Sequence, residues 1–342
     1  MPKRLVCSGV GEVAWQEVPS RELNPTEIRV RCAFGAEKHG TMMAFYKGYA
    51  NERGRWDQAA LMHRPDEGVL WSYPIPLGNA QAGTVIEAGS GSGKSVGEAV
   101  FFSGPFCPEV IVKGKDAWPW PEGVAWESLM LLDPGEFALG AIRDGNLRAG
   151  DNVAIFGLGA IGLCVVQLAR LAGAANVIAI DPVSQRRDIA LATGANSAID
   201  PTTTDVGAAI RELTGGIGAD VVIDFSGSRP ALQAALRGVG YLGTIVYGAF
   251  PPPFGAGLDF GGEAHMNRPQ IVFSRACSDP NPDHPRWSHR RIQETVYGYI
   301  ADGHLRGEYI LSEPVPFESL LTEYPRLAAE AGSLIKLAVE YP

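Results

Sequence analysis

Short apolar segments in the first third of the chain alternate with polar positions and are bounded by Gly and Pro. The segment Glu27–Cys32 alternates regularly, as a strand with one buried face does. Similar strands are predicted over Gly83–Gly89, Glu98–Phe102 and Glu109–Val112. Short strands separated by frequent turns are typical of a small β-barrel. The first third is therefore predicted to be a β-rich domain.

The pattern changes after Pro121, where a mainly helical segment, Trp126 to Arg143, leads into alternating strands and helices. This alternation predicts an α/β domain with a doubly wound parallel sheet and helices on both faces. A helix over Arg290–Asp302 and a strand-helix tail from Ile310 to Tyr341 end the chain. The predicted strands are Asn152–Phe156, Val177–Ile180, Ser197–Ile199, Val221–Phe225 and Gly243–Tyr247, and the predicted helices are Ile161–Ala172, Gln185–Ala192, Val206–Leu213 and one from Pro230.

Three glycines with the spacing Gly-x-Gly-x-x-Gly, Gly157, Gly159 and Gly162, follow the first of these strands. In a dinucleotide-binding turn the first glycine makes the turn, the second admits the pyrophosphate and the third packs the helix on the strand. Ala160 and Ile161 then lie at the helix N-terminus, whose N–H groups face the phosphates. A tight turn without a ligand is the alternative.

An acidic residue, Asp181, ends the second strand near the offset of about 20 residues expected for a ribose-binding carboxylate. A carboxylate there binds the ribose hydroxyls and repels a 2′-phosphate, which favours NAD over NADP. Arg186 and Arg187 follow closely. Arg186 is expected either to stack near the adenine or to be a solvated helix residue.

Composition limits the classes of function. The 342 residues suffice for two domains, and the net charge of −9 without a basic face argues against nucleic-acid binding. The chain shows no signal peptide and no membrane-spanning stretch, so a cytoplasmic protein with a small-molecule substrate is expected. The five cysteines are scattered without a Cys-x-x-Cys pair, so buried reduced thiols are expected rather than disulfides or a cysteine-built zinc site.

Several motifs together resemble the medium-chain dehydrogenase/reductase superfamily, over nearly the whole chain. Gly97–Val100 resembles its Gly-Asp-x-Val step, and Asn146–Val153 resembles its entry to the dinucleotide fold. Gly218–Asp224 followed by Ser226 and Gly227 resembles its fifth strand and the cofactor-lining turn, and Gly243–Gly248 resembles its sixth strand. The resemblance adds Ser226, Gly227 and Gly248 to the expected cofactor site.

The resemblance also implies a domain organisation. A GroES-like catalytic domain would span residues 1–125 and be completed by residues 290–342. A Rossmann domain would span residues 126–289. Members of the superfamily form dimers or tetramers, so a homodimer or homotetramer is expected.

The zinc ligands of the superfamily are replaced in this sequence. His39 takes the place of the usual cysteine, Asn79 that of the histidine, and Ala80 that of the following acid. The third ligand region falls on Asp133, and the four-cysteine lobe is missing. A catalytic zinc needs three good ligands and a water, so no metal is expected.

Without zinc, an alcohol oxidation needs a protein base, and His39 is the candidate because imidazole titrates near neutral pH. The resemblance places His39 beside the substrate carbon and matches Thr41 to the hydroxyl that relays protons in the family. Asp133 could orient His39, and Asn79 could hydrogen-bond the substrate oxygen. Alternatives are a packed His39 and a helix-capping Thr41, while Glu37 and Lys38 are expected to be surface charges. The segment His284–Arg290 and the aromatic residues Trp56, Trp71, Tyr73 and Trp118 have either substrate-binding or structural explanations.

The sequence therefore predicts a zinc-independent, NAD-dependent dehydrogenase acting on a secondary alcohol of a polyol, sugar or sugar-like natural product. Two alternatives remain. One is a zinc-free enoyl or quinone-type reductase, which needs no base at position 39. The other is a lyase or epimerase that keeps and recycles tightly bound NAD.

Overall fold

The computed structural model describes residues 2–278, 285–330, 332 and 334–342, apart from the side chain of His39. The chain divides into two compact units. One unit is formed by Met1–Met130 with Leu311–Pro342, and the other by Leu131–Ile310.

The first unit is rich in short antiparallel strands. One sheet has the order β2-β1-β6, a second has the order β10-β8-β7-β3-β18-β17 with β9 also paired to β3, and β4 and β5 form a hairpin. Its helices are α1 (His39–Tyr46), α2 (Trp126–Leu129) and α10 (Leu320–Ala329). Its strands are β1 (Lys3–Gly9), β2 (Glu12–Glu17), β3 (Glu27–Ala36), β4 (Arg55–Asp57), β5 (Met62–Arg64), β6 (Ile75–Pro76), β7 (Ala80–Ala88), β8 (Ala99–Ser103), β9 (Glu109–Lys113), β10 (Trp118–Pro119), β17 (Val315–Pro316) and β18 (Ala338–Glu340).

The second unit is a doubly wound α/β domain. Its strands are β11 (Asn152–Phe156), β12 (Asn176–Ile180), β13 (Ser197–Ile199), β14 (Ala219–Asp224), β15 (Val239–Tyr247) and β16 (Gln270–Phe273). Its helices are α3 (Leu132–Asp144), α4 (Ala160–Leu171), α5 (Ser184–Thr193), α6 (Val206–Leu213), α7 (Arg229–Gly238), α8 (Glu263–Asn267) and α9 (His289–Ala301).

These strands pair in parallel in the order β13-β12-β11-β14-β15-β16. Strands buried on both faces need continuous apolar sequence, and Val153 through Phe156 are at most 1% exposed. The chain leaves β11 toward one edge and returns at β14 toward the other. Ligands of open α/β sheets bind outside the carboxyl ends of the strands at this reversal point. A ligand site is therefore expected at the turns after β11 and β14.

The structure confirms the α/β fold class, and most predicted elements of the second unit agree with the observed ones within two residues. The predicted return to the first domain at residue 290 is wrong. Helix α9 belongs to the second unit because it packs against α3: a Cβ added at Gly135 would lie 2.6 Å from the Val296 side chain. His289 at the start of α9 also contacts Glu136 at 3.1 Å.

Two features of the first unit lie outside the predicted elements. Strands β1 and β2 form an antiparallel pair near the N-terminus, and helix α1 follows β3 directly. Within the part of the chain that the structure describes, no helix is both long and apolar enough to cross a membrane. The segment His284–Arg290 lies partly outside the described residues.

Candidate functional site

The glycine-rich turn joins β11 to α4. Gly157 has a φ of 82°, in the left-handed region, and a Cβ there would lie 2.6 Å from the backbone nitrogen of Ser226. A Cβ on Gly162 would lie 2.0 Å from the carbonyl oxygen of Gly157. Both glycines are therefore required by close backbone packing within the protein.

Gly159 differs from the other two glycines. Its φ of −72° is accessible to any residue, and a Cβ added there would meet no atom within 4 Å. Gly159 is the N-cap residue of α4 and makes no side-chain capping bond. The N–H groups of Ala160 and Ile161 lie in the first helical turn, where no intrahelical partner exists. Open space beside these donors fits the close approach of a pyrophosphate.

Asp181 follows β12 and is bonded directly to the glycine turn. Its side chain is buried, with Oδ2 accepting a hydrogen bond from the N–H of Leu158 at 2.8 Å and Oδ1 accepting one from Val183 at 2.9 Å. Each carboxylate oxygen retains a second lone pair. Asp181 therefore supports the turn and still has acceptor capacity for ribose hydroxyl groups.

The two arginines of α5 lie against this acid. Arg186 Nη1 lies 3.8 Å from Asp181 Oδ2, and its side chain is 19% exposed, so it is not a solvated surface residue. Arg187 donates to the carbonyl oxygen of Asp181 at 2.8 Å and pairs with Asp200 at 3.0 Å. The charge of Asp181 is thus partly balanced from within the protein.

The turns at the carboxyl ends of β14 and β15 lie on the β14 side of the glycine-rich turn. Ser226 donates from its N–H at 2.7 Å and from Oγ at 2.6 Å to Oδ1 of the buried Asp224, and the Gly248 N–H donates to the Asp224 carbonyl at 3.0 Å. Gly227 has a φ of 65°. A Cβ on Gly248 would lie 2.4 Å from the Phe225 ring. These contacts fix the turns on either side of Asp224.

Asp224 was not predicted from the sequence, although an acid at the end of the apolar strand Val221–Ile223 is a signal. Burial raises its pKa to about 6, and the two hydrogen bonds from Ser226 lower it in part. Among the described residues, its Oδ2 atom has no hydrogen-bond partner. The carboxyl group is therefore held at the reversal point of the sheet in an environment that favours its protonated form.

A cavity of about 440 Å³ lies elsewhere on this unit. Its lining includes Asp151, Asp220 and Tyr241, which belong to the amino ends of the strands. The glycine turn is at the opposite, carboxyl edge of the same sheet. The cavity therefore has no part in the candidate cofactor site.

The predicted catalytic residues are distributed over both units. His39 is the first residue of α1, and its side chain lies outside the described part of the structure. Thr41 is half-buried inside α1, whose N-cap is Lys38, so the helix-capping alternative for Thr41 is wrong. Asn79 is buried directly before β7, and its carbonyl oxygen accepts a hydrogen bond from Gly104 at 2.9 Å. Asp133 lies half-buried in the first turn of α3, in the other unit.

The prediction that Glu37 is a surface charge is wrong, because its side chain is fully buried between β3 and α1. Tyr324 donates its hydroxyl to Glu37 Oε1 at 3.1 Å, and Lys336 donates to the Glu37 carbonyl at 2.5 Å. Burial raises the pKa of Glu37 to about 7, although the Lys336 charge and the backbone N–H groups of Lys38 and Gly78 lower it. Glu37 thus links the start of α1 to the segment before Asn79.

Two of the positions that the family resemblance aligns with the zinc-binding motif carry poor ligands. Asn79 offers an amide and Ala80 only a methyl group, and neither is a good zinc donor. Among the described residues, which exclude the His39 side chain, no cluster of three His, Cys, Asp or Glu residues is placed to hold a metal ion. The described donor set does not fit a catalytic zinc.

Comparison with known proteins identifies the family. Residues 160–281 match the family described as zinc-binding dehydrogenase. The chain is 41% identical to D-guloside 3-dehydrogenase of Escherichia coli (strain K12) over 334 residues, 94% of this chain and 95% of that protein. This chain belongs to the zinc-type medium-chain dehydrogenase family. The (R,R)-butanediol dehydrogenase of Bacillus subtilis (strain 168) is a more distant member, 30% identical over 78% of this chain and 81% of that one.

Solved structures of medium-chain dehydrogenases share the fold. The 2R,3R-butanediol dehydrogenase from Bacillus subtilis superimposes with a TM-score of 0.79 at 20% identity, covering 99% of both chains. Galactitol-1-phosphate dehydrogenase from Escherichia coli gives a TM-score of 0.78, also at 20% identity and with 99% coverage of both chains. The chain is accordingly a medium-chain dehydrogenase with GroES-like and Rossmann folds.

Proposed function

We propose that this medium-chain dehydrogenase oxidises a secondary hydroxyl group of a sugar, polyol or glycoside with NAD and without zinc. The observation that carries the proposal is the match of 334 residues, at 41% identity, to a D-guloside 3-dehydrogenase. A match along almost the whole of both chains includes the substrate-binding domain as well as the Rossmann domain. Similarity of both domains supports a related, carbohydrate-like substrate.

The residues of the glycine turn fit a nicotinamide dinucleotide, which when bound would supply the hydride acceptor. The first-turn N–H groups of Ala160 and Ile161 would hold its pyrophosphate beside Gly159. Asp181 would accept hydrogen bonds from the adenosine ribose, and its buried negative charge disfavours a 2′-phosphate. The nearby Arg186 weakens but does not cancel this preference, because the carboxylate is the group bonded to the turn.

The proton of the substrate alcohol needs an acceptor as the hydride leaves. His39 is proposed as this base, with Thr41 as a proton relay, Asn79 as a donor to the substrate oxygen and Asp133 as an orienting carboxylate. The buried Glu37 adds support that the sequence did not predict, because it fixes the backbone on which His39 and Asn79 are placed. The homodimer or homotetramer implied by the family resemblance stays a prediction.

A substrate panel of glycosides, polyols, free sugars and enones, with NAD and with NADP, tests the function by reduced-nicotinamide absorbance. We expect NAD-dependent oxidation of a carbohydrate, undiminished by chelators, in protein with clearly less than one zinc per chain. Turnover of enones alone would identify a double-bond reductase. NAD released only on denaturation, without net reduction, would identify an enzyme that recycles its cofactor. Activity lost on chelation and restored by zinc would refute zinc independence.

A further inference from the structure

Two residues near the ends of the loop between α1 and β6 are hydrogen-bonded to each other. The Asn51 side chain donates from Nδ2 to the Trp71 carbonyl at 2.9 Å and accepts from the Trp71 N–H at 3.1 Å. The segment 51–71 is therefore pinned at both ends and contains the β4–β5 hairpin. Pinning fixes the backbone of Trp71 independently of any ligand.

The ring of Trp71 is held as firmly as its backbone. It lies parallel to the buried ring of Phe45, with an interplanar angle of 2° and 4.7 Å between centroids. Trp71 is nevertheless 48% exposed, whereas Phe45 is only 2% exposed. One indole face is thus fixed against α1, and solvent reaches the remainder of a large apolar ring.

The position of this ring along α1 relates it to the candidate catalytic residues. Thr41 and Phe45 are four residues apart on the helix and therefore share one face, with their Cβ atoms about 5–6 Å apart. Trp71 stacks on Phe45 and is therefore related to Thr41 by about one turn of α1. A second ring of the substrate would have to extend from Thr41 by about this distance to stack on Trp71.

A fixed, half-exposed indole recognises a flat group with apolar faces. A pyranose ring is such a group, because its C–H bonds form an apolar patch on one side while its hydroxyl groups stay solvated at the edge. Indole suits a ligand that is apolar on one side and polar at its edge, since it combines an apolar face with a polar N–H. An acyclic polyol lacks a flat face and gains little from the same contact.

We propose that Trp71 is a sugar-stacking residue for a second pyranose ring, so that glycosides carrying such a ring are preferred to free sugars and polyols. The proposal rests on the proposed carbohydrate dehydrogenase function for the class of ligand. Its geometry rests on the stacked Phe45 and on the closure of the loop by Asn51.

Kinetics of Trp71→Ala with disaccharides and with methyl glycosides test the proposal. We expect kcat/KM for a disaccharide to fall at least tenfold through KM, because stacking binds the ground state and the transition state alike. The value for a methyl glycoside should stay within twofold, and Trp71→Phe should restore most of the loss. Trp56→Ala is the matched control, since Trp56 is 39% exposed in the same loop but contacts His63 of the hairpin. Equal losses for both substrate types would overturn the proposal, because they indicate a structural role.

A binding measurement separates this proposal from the function on which it rests. Fluorine NMR of protein containing 5-fluorotryptophan, with the Trp71 signal assigned from Trp71→Phe, reports directly on the ring without turnover. We expect a disaccharide to shift that signal and a free polyol to leave it unchanged. A shift without any carbohydrate oxidation would support the stacking site and refute the proposed function, whereas oxidation of disaccharides without a shift would do the reverse. A shift that follows protein concentration instead of sugar would overturn the proposal in favour of contact between copies of the chain.

Discussion

The open space beside Gly159 leads to a sharp prediction about the cofactor site. Because an added Cβ meets no protein atom within 4 Å and the φ is −72°, Gly159→Ala should fold normally. At an N-cap position Ala is less favourable than Gly by at most about 1 kcal/mol. A bound pyrophosphate, however, would have to retreat from the new methyl group. The loss of one charge-assisted hydrogen bond, about 1.5–3 kcal/mol, weakens NAD binding roughly 10- to 150-fold.

Gly162→Ala is the matched comparison on the same turn. Its Cβ would lie 2.0 Å from the Gly157 carbonyl oxygen, so the helix must move away from the turn. Forcing atoms into a packed region costs about 1–3 kcal/mol, which exceeds the helix propensity gained from Gly to Ala. Gly162→Ala should therefore lose stability as well as cofactor affinity.

Calorimetric titration with NAD and denaturant unfolding without NAD measure the two effects separately. We expect Gly159→Ala to lose at most about 1 kcal/mol of stability, the cost of Ala at the N-cap, while its NAD affinity falls roughly 10- to 150-fold. Gly162→Ala should lose more stability as well as NAD affinity. If Gly159→Ala bound NAD as tightly as the wild-type protein, the pyrophosphate would not lie close to this residue. The assignment of the turn as the pyrophosphate site would then be wrong.

Three further predictions concern titratable residues. Asp181→Asn should narrow the NAD-to-NADP affinity ratio about tenfold, since one charge repulsion is removed; an unchanged ratio in calorimetry contradicts this. Asp224, whose pKa rises from 3.8 to about 6 on folding, binds its proton more tightly when folded, so its contribution to stability falls by about 3 kcal/mol as the pH rises from about 4 to 6. Asp224→Asn should remove this dependence in denaturant unfolding at several pH values, and parallel curves for both proteins contradict it. His39→Asn should lower kcat by about 10²–10⁴-fold and remove the acidic limb of the pH–rate profile; a retained limb means that another group is the base.

The second unit was the more predictable half of the fold. Parallel strands buried on both faces are continuous apolar runs, and Asn152–Phe156 was predicted with the bounds that the structure shows. The first unit was harder because its local signals are weak. Helix α1 holds Met42, Ala44, Phe45 and Tyr46 against the core, so its sequence has little amphipathic contrast. A short helix of this kind is stabilised by tertiary packing more than by its own periodicity.

The residues of the candidate site also differ in how well local sequence predicts them. The roles of Gly157 and Gly162 follow from a local motif, and the structure places them as the motif requires. Asp224 was not predicted, although it ends an apolar strand. Glu37 was misassigned to the surface, because the burial of this acid depends on partners far away in the chain. Tyr324 and Lys336 lie almost 300 positions after Glu37, and no local pattern indicates that they will cover it.

The contacts of the acidic groups explain how the cofactor turn holds its shape. Asp181 ties the end of β12 to Leu158, and Gly157 packs against Ser226, which is bonded in turn to Asp224 at the end of β14. The end of β11 is thus joined to that of β12 by the Leu158 N–H, and to that of β14 by close packing and by the Phe225 N–H, which donates to the Phe156 carbonyl at 2.9 Å. Such preorganisation lowers the ordering cost of binding. It also means that replacing Asp181 removes a support of the turn together with a ribose ligand. The loss of support acts on NAD and NADP alike, so only the ratio of the two affinities isolates the electrostatic effect of the carboxylate.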